Sequence, residues 1–417
     1  MTLTLILTLG LLLIVAIVGS RHSDLPKNIW LLFLAQPLAM CGAPMVVLCG
    51  GLLGAKMAPN PELATLPITM MILGTASGVV PASMLMQQIG RKNGTMIGFS
   101  IAIIGSLVAT YAAIYNLFSL LILGTVLIGF CMAFVSQLRF AALDSLENPL
   151  LNPKAISLLM ISGLFAAMLG PEIAVSAADF IDSPYGFAGS FFFLSILFLC
   201  AIIIISRLDP MQPAKQESQE GARNLSTIIK QPLFLIALSS GAIGYMIMSY
   251  VMTASPLSMH EFHDYDLESV KWVIQSHIIG MYMPSLFSVA LLKYIGLNHL
   301  MLIGASLYSV VVVVAISGHS VMHYWWAMVL LGIGWNFLYS SGTLLLPESY
   351  TSNERFKAQA VNDFGVFITQ ALASLCAGII LFSQGWNILI YITIPVILLM
   401  FMMSIWFYTI RVKSNMS

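Results

Sequence analysis

Residues 83–100 read SMLMQQIGRKNGTMIGFS, and a related stretch, KYIGLNHLMLIGAS, stands at 293–306. Each stretch lies between two long apolar segments. The matching pairs, 206 positions apart, are Ile89-Gly90 with Ile295-Gly296 and Ile97-Gly98 with Ile303-Gly304. A recurrence at a fixed offset is the sequence sign of an internal repeat, so these stretches indicate that the chain is built from two related halves.

A second set of matches supports the repeat at an offset of 203 positions. These matches are Val126–Gly129 with Val329–Gly332, Phe134 with Phe337, and Lys154-Ala155 with Lys357-Ala358. Because the matched segments occupy the same place in each half and run in the same direction, the halves are related in parallel. Parallel repeats about an axis along the membrane normal are typical of transporter folds.

The composition is that of a membrane protein. Of the 417 residues, 59% are hydrophobic and only 8% are charged, and the mean hydropathy is +0.94. Soluble domains carry about 25% charged residues. The formal net charge is zero, so no basic field favours nucleic acid. The five Cys residues lie singly in apolar runs, which predicts no metal site, no disulfide framework and no cofactor.

Thirteen segments are long enough to cross a bilayer, which takes roughly 20 apolar residues. Backbone groups find no water in lipid, so we expect helices. Numbered 1 to 13, the spans lie near 2–19, 28–54, 65–87, 95–114, 117–138, 156–177, 187–206, 231–254, 270–292, 298–317, 322–346, 358–382 and 386–410.

Basic residues are distributed unevenly between alternate loops. Only Lys56 and Lys271 lie in or beside the loops that follow even-numbered spans. The remaining Lys and Arg residues lie in or beside the loops that follow odd-numbered spans. Loops rich in Lys and Arg stay in the cytoplasm. The pattern therefore predicts a multi-pass protein of the cell inner membrane with a cytoplasmic C-terminus.

The order of spans predicts four regions. Residues 1–20 form an accessory transmembrane helix, 21–206 and 231–417 form two six-helix bundles, and 207–230 form a cytoplasmic linker. No Lys or Arg precedes the apolar run of residues 1–20, which argues against a secretory signal, although a processed leader stays open. The stretch Asp209–Arg223 is rich in Pro, Gln and Glu, which favours a flexible linker.

The loop after span 3 resembles the signature loop of the major facilitator superfamily. That loop runs approximately Gly-x-Leu-Ala-Asp-Arg-x-Gly-Arg-Arg/Lys. Leu85 and the Gly90-Arg91-Lys92 end match it, whereas Gln87-Gln88 replace its acidic and basic residues. The resemblance covers roughly 28–411 and implies an all-α fold of two six-helix bundles that transports a small solute by alternating access. Residues 272–285 and 318–343 are also similar to a proteobacterial subgroup, some of whose members are associated with uptake of riboflavin or other metabolites.

The resemblance places a central cavity among spans 2, 5, 8 and 11, with help from 3, 6, 9 and 12. Trp335 and Asn336 stand near the middle of span 11, whereas the other six Trp residues stand near span ends. An indole beside an amide suits a flat ring that needs one hydrogen bond. Ala133 is the repeat partner of Asn336, so substrate contact should be concentrated on the C-terminal half. The alternative is a packed Trp beside an Asn that bonds between helices.

Further polar side chains within the spans are candidates for substrate binding. They are Gln275 and His277 in span 9, Gln36 in span 2 and Gln370 in span 12. Polar groups are costly in lipid and usually face a cavity or one another. An imidazole also exchanges protons near neutral pH. For each residue, hydrogen bonding between helices is the competing interpretation.

Charged residues supply candidates for coupling and gating. Glu172 follows Gly170-Pro171, and we place it well inside span 6, where a carboxylate that binds and releases a proton would couple transport to a pH gradient. A structural ion pair is the alternative. The predicted cytoplasmic gate consists of Arg91, Lys92, Arg139, Asp144 and Asp363 near inner span ends.

The sequence thus predicts a proton-coupled secondary transporter, a monomer in the lipid bilayer, that takes up a flavin-like or siderophore-like metabolite. Multidrug efflux is the alternative, and the 26 Met residues would suit a promiscuous lining. A membrane-embedded enzyme or sensor is a distant alternative, because the acidic and His residues are scattered and no catalytic motif is present.

Overall fold

The computed structural model describes residues 2–146, 148–209, 223–287 and 294–416. Within these ranges the chain is helical apart from its connections and contains no strand. An all-α architecture suits lipid, since a helix bonds its own backbone groups internally.

Within the described ranges, thirteen long helical segments follow one another in the order of the predicted spans, and the shorter helices Leu138–Asp144 and Leu225–Ile229 lie between them. Helix α2 includes one π-helical stretch, Val46–Gly50. The segments are α1 (Leu3–His22), α2 (Lys27–Met57), α3 (Leu66–Ile89), α4 (Arg91–Tyr115), α5 (Phe118–Ser136), α6 (Asn152–Ser176), α7 (Ala188–Ile205), α8 (Pro232–Leu257), α9 (Leu267–Tyr282), α10 (Leu297–Ile316), α11 (Val321–Leu345), α12 (355–384) and α13 (386–416).

By length and composition, 11 helices of the described residues are able to cross a membrane. The difference from thirteen has two causes. Helices α12 and α13 form one run, Arg355–Met416, that is broken only at Gly385, where φ is 80°. Helix α9 has 16 residues and continues as a 3-10 helix, Met283–Phe287, and the remainder of the predicted span, 288–292, lies outside the described residues.

The repeat found in the sequence is also present in the backbone. Gly90 has φ 85° and ψ 158°, and Gly296 has φ 74° and ψ 161°. Each residue precedes the first residue of a helix, α4 or α10. This backbone conformation is open to glycine and strained for other residues, which explains why both copies of the loop contain glycine at this place.

The repeat extends to two close contacts between helices. A Cβ at Gly74 of α3 would collide with the Val126 carbonyl, and a Cβ at Gly280 of α9 would meet the Val329 carbonyl. Gly280 and Val329 follow their partners in the first half by the same offsets, 206 and 203 positions. Small residues let helix backbones approach closely in membranes. Both halves therefore use glycine to pack α3 on α5 and α9 on α11.

The chain divides into two compact units. The first comprises Met1–Ala214 with Asp266–Gln275, and the second comprises Lys215–Tyr265 with Ser276–Ser417. Helix α9 thus begins in the first unit and ends in the second. The predicted linker falls largely on residues 210–222, which lie outside the described residues.

Helix α1 is the most exposed of the long helices. Only 11% of its apolar window is buried within the protein, so most of its surface is suited to lipid. Its docking site on α2 is specific, because Gly19 lies directly against the indole ring of Trp30 and a Cβ at Gly19 would overlap that ring. Leu5, Leu12 and Ala16 are also buried, so α1 packs against the protein along one face of its length.

Candidate functional site

Five aromatic side chains of the second unit meet around Trp335. We call them the aromatic cluster: Tyr245 from α8, Tyr282 from α9, Trp335 and Tyr339 from α11, and Phe367 from α12. Trp335 and Tyr339 are four residues apart, so they lie on the same face of α11. Their rings are stacked, with centroids 5.2 Å apart and planes 11° apart.

Tyr245 fixes this stack from the side. Its ring meets Trp335 edge-on at 5.1 Å and Tyr339 edge-on at 5.2 Å. Edge-to-face contacts between aromatic rings contribute about 0.5–1.5 kcal/mol beyond burial. The four helices that carry the cluster therefore hold a rigid set of ring faces at the depth of Trp335.

The indole nitrogen of Trp335 has no hydrogen-bond partner. Trp335 is 5% exposed, and its Nε1 is a buried donor without an acceptor among the described residues. Buried polar groups in native proteins are nearly always bonded, and an exception calls for an explanation. A ligand that stacks on the cluster and presents a hydrogen-bond acceptor would supply the missing partner.

Asn336 points to a different neighbour. Its Nδ2 donates to the Met281 carbonyl at 2.7 Å and to the Ser285 Oγ at 2.6 Å. Successive residues on a helix point about 100° apart, so Trp335 and Asn336 do not act side by side. The Asn336 amide connects α11 to the end of α9, as the alternative interpretation from the sequence requires.

Two predicted residues of α9 bond to carbonyl groups of other helices. The Gln275 Nε2 donates to the Met168 carbonyl at 3.0 Å. The His277 Nδ1 lies 2.7 Å from the Met328 carbonyl, which can only accept, so Nδ1 carries the proton. The Nε2 of His277 is buried and has no partner in the described part of the chain. His277 therefore keeps one ring nitrogen available, whereas the amide nitrogen of Gln275 is engaged.

The other two predicted amides, Gln36 and Gln370, also differ in whether the side chain is hydrogen-bonded. The Gln36 Nε2 donates to the Leu159 carbonyl at 3.1 Å, which links α2 to α6. Gln370 is half-buried in α12, and its side chain makes no hydrogen bond within the described ranges. Gln370 thus stays a candidate for ligand contact, and Gln36 has a structural role as well.

Glu172 forms a buried ion pair with Lys271. The Glu172 Oε2 lies 3.0 Å from the Lys271 Nζ, and the two side chains are 3% and 9% exposed. Glu172 stands four residues before Ser176, the last residue of α6. The predicted span, 156–177, ends at nearly the same residue, and a coupling role for Glu172 stays a prediction. The ion pair forms near one end of α6.

The predicted gate residues are only partly brought together. The Arg91 Nε contacts the Asp144 Oδ2 at 2.8 Å, so Arg91 has an acidic partner although Gln87-Gln88 replace the acidic and basic residues of the family loop. Lys92 donates to the Leu208 carbonyl at 2.8 Å. Arg139 lies over the Phe140 ring at 4.8 Å, and Asp363 accepts from its neighbour Asn362. Arg91 also lies over the Phe140 ring, at 5.7 Å, so Arg91 and Arg139 contact the same ring.

The sequence interpretation missed four members of the aromatic cluster: Tyr245, Tyr282, Tyr339 and Phe367. A signal for Tyr339 was available, since it follows Trp335 by four residues. The repeat adds another signal, because the offset of 203 places Met132 and Ser136 where the second half has Trp335 and Tyr339. The paired rings on α11 thus have no aromatic counterparts on α5.

Comparison with known proteins identifies the family. Residues 50–288 and 238–416 match the sequence pattern of the Major Facilitator Superfamily. The chain belongs to this superfamily and is a multi-pass membrane transporter.

Two relatives and one solved structure illustrate the similarity. The riboflavin transporter RfnT of Brucella anthropi is 34% identical over 375 residues, which cover 89% of this chain and 94% of RfnT. The MFS-type transporter YddS of Bacillus subtilis is 27% identical over 92% of this chain and 91% of YddS. A crystal structure of a bacterial homologue of the iron transporter ferroportin, in an outward-facing state, has a TM-score of 0.63 and 14% identity. The matched region covers 92% of this chain and 100% of the ferroportin homologue, which supports the assignment of the fold.

Proposed function

We propose that this transporter takes up a flavin-like metabolite, one with a flat fused heteroaromatic ring that carries carbonyl groups. The observation that carries the proposal is the aromatic cluster around Trp335, with its stacked pair of rings and its unpartnered indole N–H. The similarity to a riboflavin transporter over most of both chains supports the same substrate class.

The chemistry of the cluster fits such a substrate. Aromatic faces attract a flat ring by stacking, and burial of that ring contributes in proportion to its apolar area. The Trp335 Nε1–H is a buried donor, and inside a protein a hydrogen bond to a ring carbonyl or ring nitrogen is stronger than in solution. Together the rings supply affinity, and the single donor selects rings that carry an acceptor.

Transport itself would follow from alternating access, with protons as the coupling ion. Glu172 is the residue that we propose to carry the proton, because it is a buried carboxylate whose counter-ion lies on another helix. Proton uptake would remove the negative charge, and proton release would restore it. Import is the direction that we propose, in line with the uptake of a nutrient.

Reconstituted protein tests this function. Proteoliposomes with an imposed pH gradient should accumulate radiolabelled riboflavin, and unlabelled riboflavin should compete, whereas the sugar alcohol ribitol should not. Trp335→Ala should abolish most of the uptake. Trp326→Ala is the matched control, because Trp326 is 50% exposed and lies outside the cluster. Export of unrelated lipophilic dyes without riboflavin uptake would instead favour multidrug efflux.

A further inference from the structure

Lys271 is one of two basic residues that the charge pattern places on the side poor in Lys and Arg. It is also unusual in its burial, because its side chain is 9% exposed. Buried lysines need a partner, since an ammonium group loses its hydration inside a protein. The Glu172 carboxylate, 3.0 Å away, is that partner.

The same segment of α9 makes two more polar contacts, one within the helix and one to α6. The Lys271 Nζ contacts the Glu268 Oε2, one turn away on α9, at 2.5 Å. The Gln275 Nε2 donates to the Met168 carbonyl of α6 at 3.0 Å. We call Glu172 and Met168 of α6, with Glu268, Lys271 and Gln275 of α9, the α6–α9 latch. All of these residues belong to the first unit, in which Asp266–Gln275 is the only part of α9.

The ionic part of this latch, the attraction between α6 and α9 through Lys271, depends on the charge of Glu172. Removal of one partner of a buried ion pair strands the other charge, which is strongly unfavourable. Protonation of Glu172 has a comparable effect without a change in shape, because it leaves Lys271 with only Glu268, whose side chain is 66% exposed. Protonation of Glu172 thus removes the ionic attachment of this segment of α9 to α6. The free energy of the Lys271 ammonium group then falls if the segment moves toward water.

We propose that the α6–α9 latch holds the first part of α9 on α6 and opens when Glu172 binds a proton, with Lys271 as the positioning residue. The charged groups that face Glu172 among the described residues are Lys271 and, through it, Glu268. The role of the α6–α9 latch in transport rests on the proposed function, in which Glu172 carries the coupling proton. The opening itself requires no substrate.

Thiol accessibility measures the opening directly. Ile274 is 1% exposed and lies within the latched segment, so a cysteine at this position is protected while the latch is closed. Ile274→Cys is introduced after Cys200 and Cys376, the exposed native cysteines, have been replaced by Ala. The rate of maleimide labelling is measured on the full chain in lipid nanodiscs, where both faces are accessible. Asn60→Cys, in an exposed loop, provides the reference rate at each pH.

Lys271→Gln and Glu172→Gln should each raise the normalised labelling rate of Ile274→Cys by about tenfold or more, which corresponds to about 1.4 kcal/mol. Lys56→Gln is the control, because Lys56 is exposed and lies outside the latch. The exchanged pair, Glu172→Lys with Lys271→Glu, should restore protection. Unchanged labelling in a folded Lys271→Gln variant would mean that the pair only stabilises the fold.

The parent protein, in which Glu172 and Lys271 are unchanged, gives an independent result. On acidification from about pH 7.5 to about pH 4, through the range in which carboxylates ordinarily protonate, the normalised labelling rate should rise. In Glu172→Gln the rate should already be high and should not depend on pH. A rate that stays low and constant in the parent would overturn the proposal. Because no flavin is present, this outcome is distinct from a failure of the proposed substrate class.

Discussion

Trp335 and Tyr339 stack face to face along α11, one helical turn apart, with ring planes 11° apart and centroids 5.2 Å apart. Tyr245 of α8 touches both rings edge-on. The pair is therefore positioned by two helices rather than by the surface of one. A substitution at either ring therefore also removes an edge-on contact with Tyr245.

Trp335→Ala is expected to weaken riboflavin binding by roughly three- to a hundredfold, because a stacking face contributes about 1 kcal/mol and a stranded polar partner costs about 1–3 kcal/mol. Trp335→Phe keeps a ring but lacks the N–H donor, so its loss should be smaller. Quenching of flavin fluorescence on titration with purified protein measures both dissociation constants. Equal affinities for the parent and Trp335→Ala would disprove the site.

Asn336→Ala is expected to lower the melting temperature. The variant removes two hydrogen bonds to the end of α9, at Met281 and Ser285, and each buried polar group left unpaired costs about 1–3 kcal/mol. Ser285→Ala combined with Asn336→Ala should cost less than the sum of the single changes, since the residues share a bond. Strict additivity in thermal melts would contradict this contact.

Glu172→Gln should abolish accumulation driven by a pH gradient and retain substrate binding, because Gln has the shape of Glu but cannot cycle a proton. Proteoliposome uptake with and without the gradient measures the first effect, and fluorescence titration measures the second. Glu62→Gln is the control, since Glu62 is exposed and lies outside the α6–α9 latch. Undiminished accumulation by Glu172→Gln would remove Glu172 from the coupling mechanism.

Removal of residues 1–20 should leave the remaining twelve helices folded, because α1 contributes little buried surface. Gly19→Leu should have a similar effect by forcing α1 away from the Trp30 ring. Both variants should melt within a few degrees of the parent, since a change of about 1 kcal/mol shifts the midpoint of a large domain by roughly 2–4 °C. Gly10→Leu, in open space on α1, controls for the added side chain. Complete loss of folded protein would make α1 part of the core.

Cysteine labelling from outside intact cells tests the orientation that the basic residues predict. Asn60→Cys and Asp264→Cys, in exposed loops, should react with a maleimide that cannot cross membranes. Asn93→Cys, exposed beside the Arg91-Lys92 loop, should react only after permeabilisation. The positive-inside rule is the physical reason. The reverse pattern of labelling would invert the topology.

The fold class was accessible from the sequence because its signals are local or periodic. Apolar length identifies helices that cross lipid, and this holds for nearly every span. Glycine at positions 90 and 296 marks a backbone conformation that few other residues adopt, so the repeat was visible before any coordinate was known. Trp335 was identified for a similar reason, since it lies near the middle of its span, whereas tryptophan is usually found at the membrane–water interface.

The assembly of the site was decided by tertiary structure alone. Tyr245 and Phe367 join Trp335 from helices that are remote in sequence, and no local pattern specifies which faces of these helices meet. The pairing of Glu172 with Lys271 spans 99 positions, and a carboxylate in an apolar run is the same in sequence whether it faces an ammonium or a substrate. Composition and periodicity determine which segments enter the membrane, whereas the partners of each buried polar group depend on helix packing.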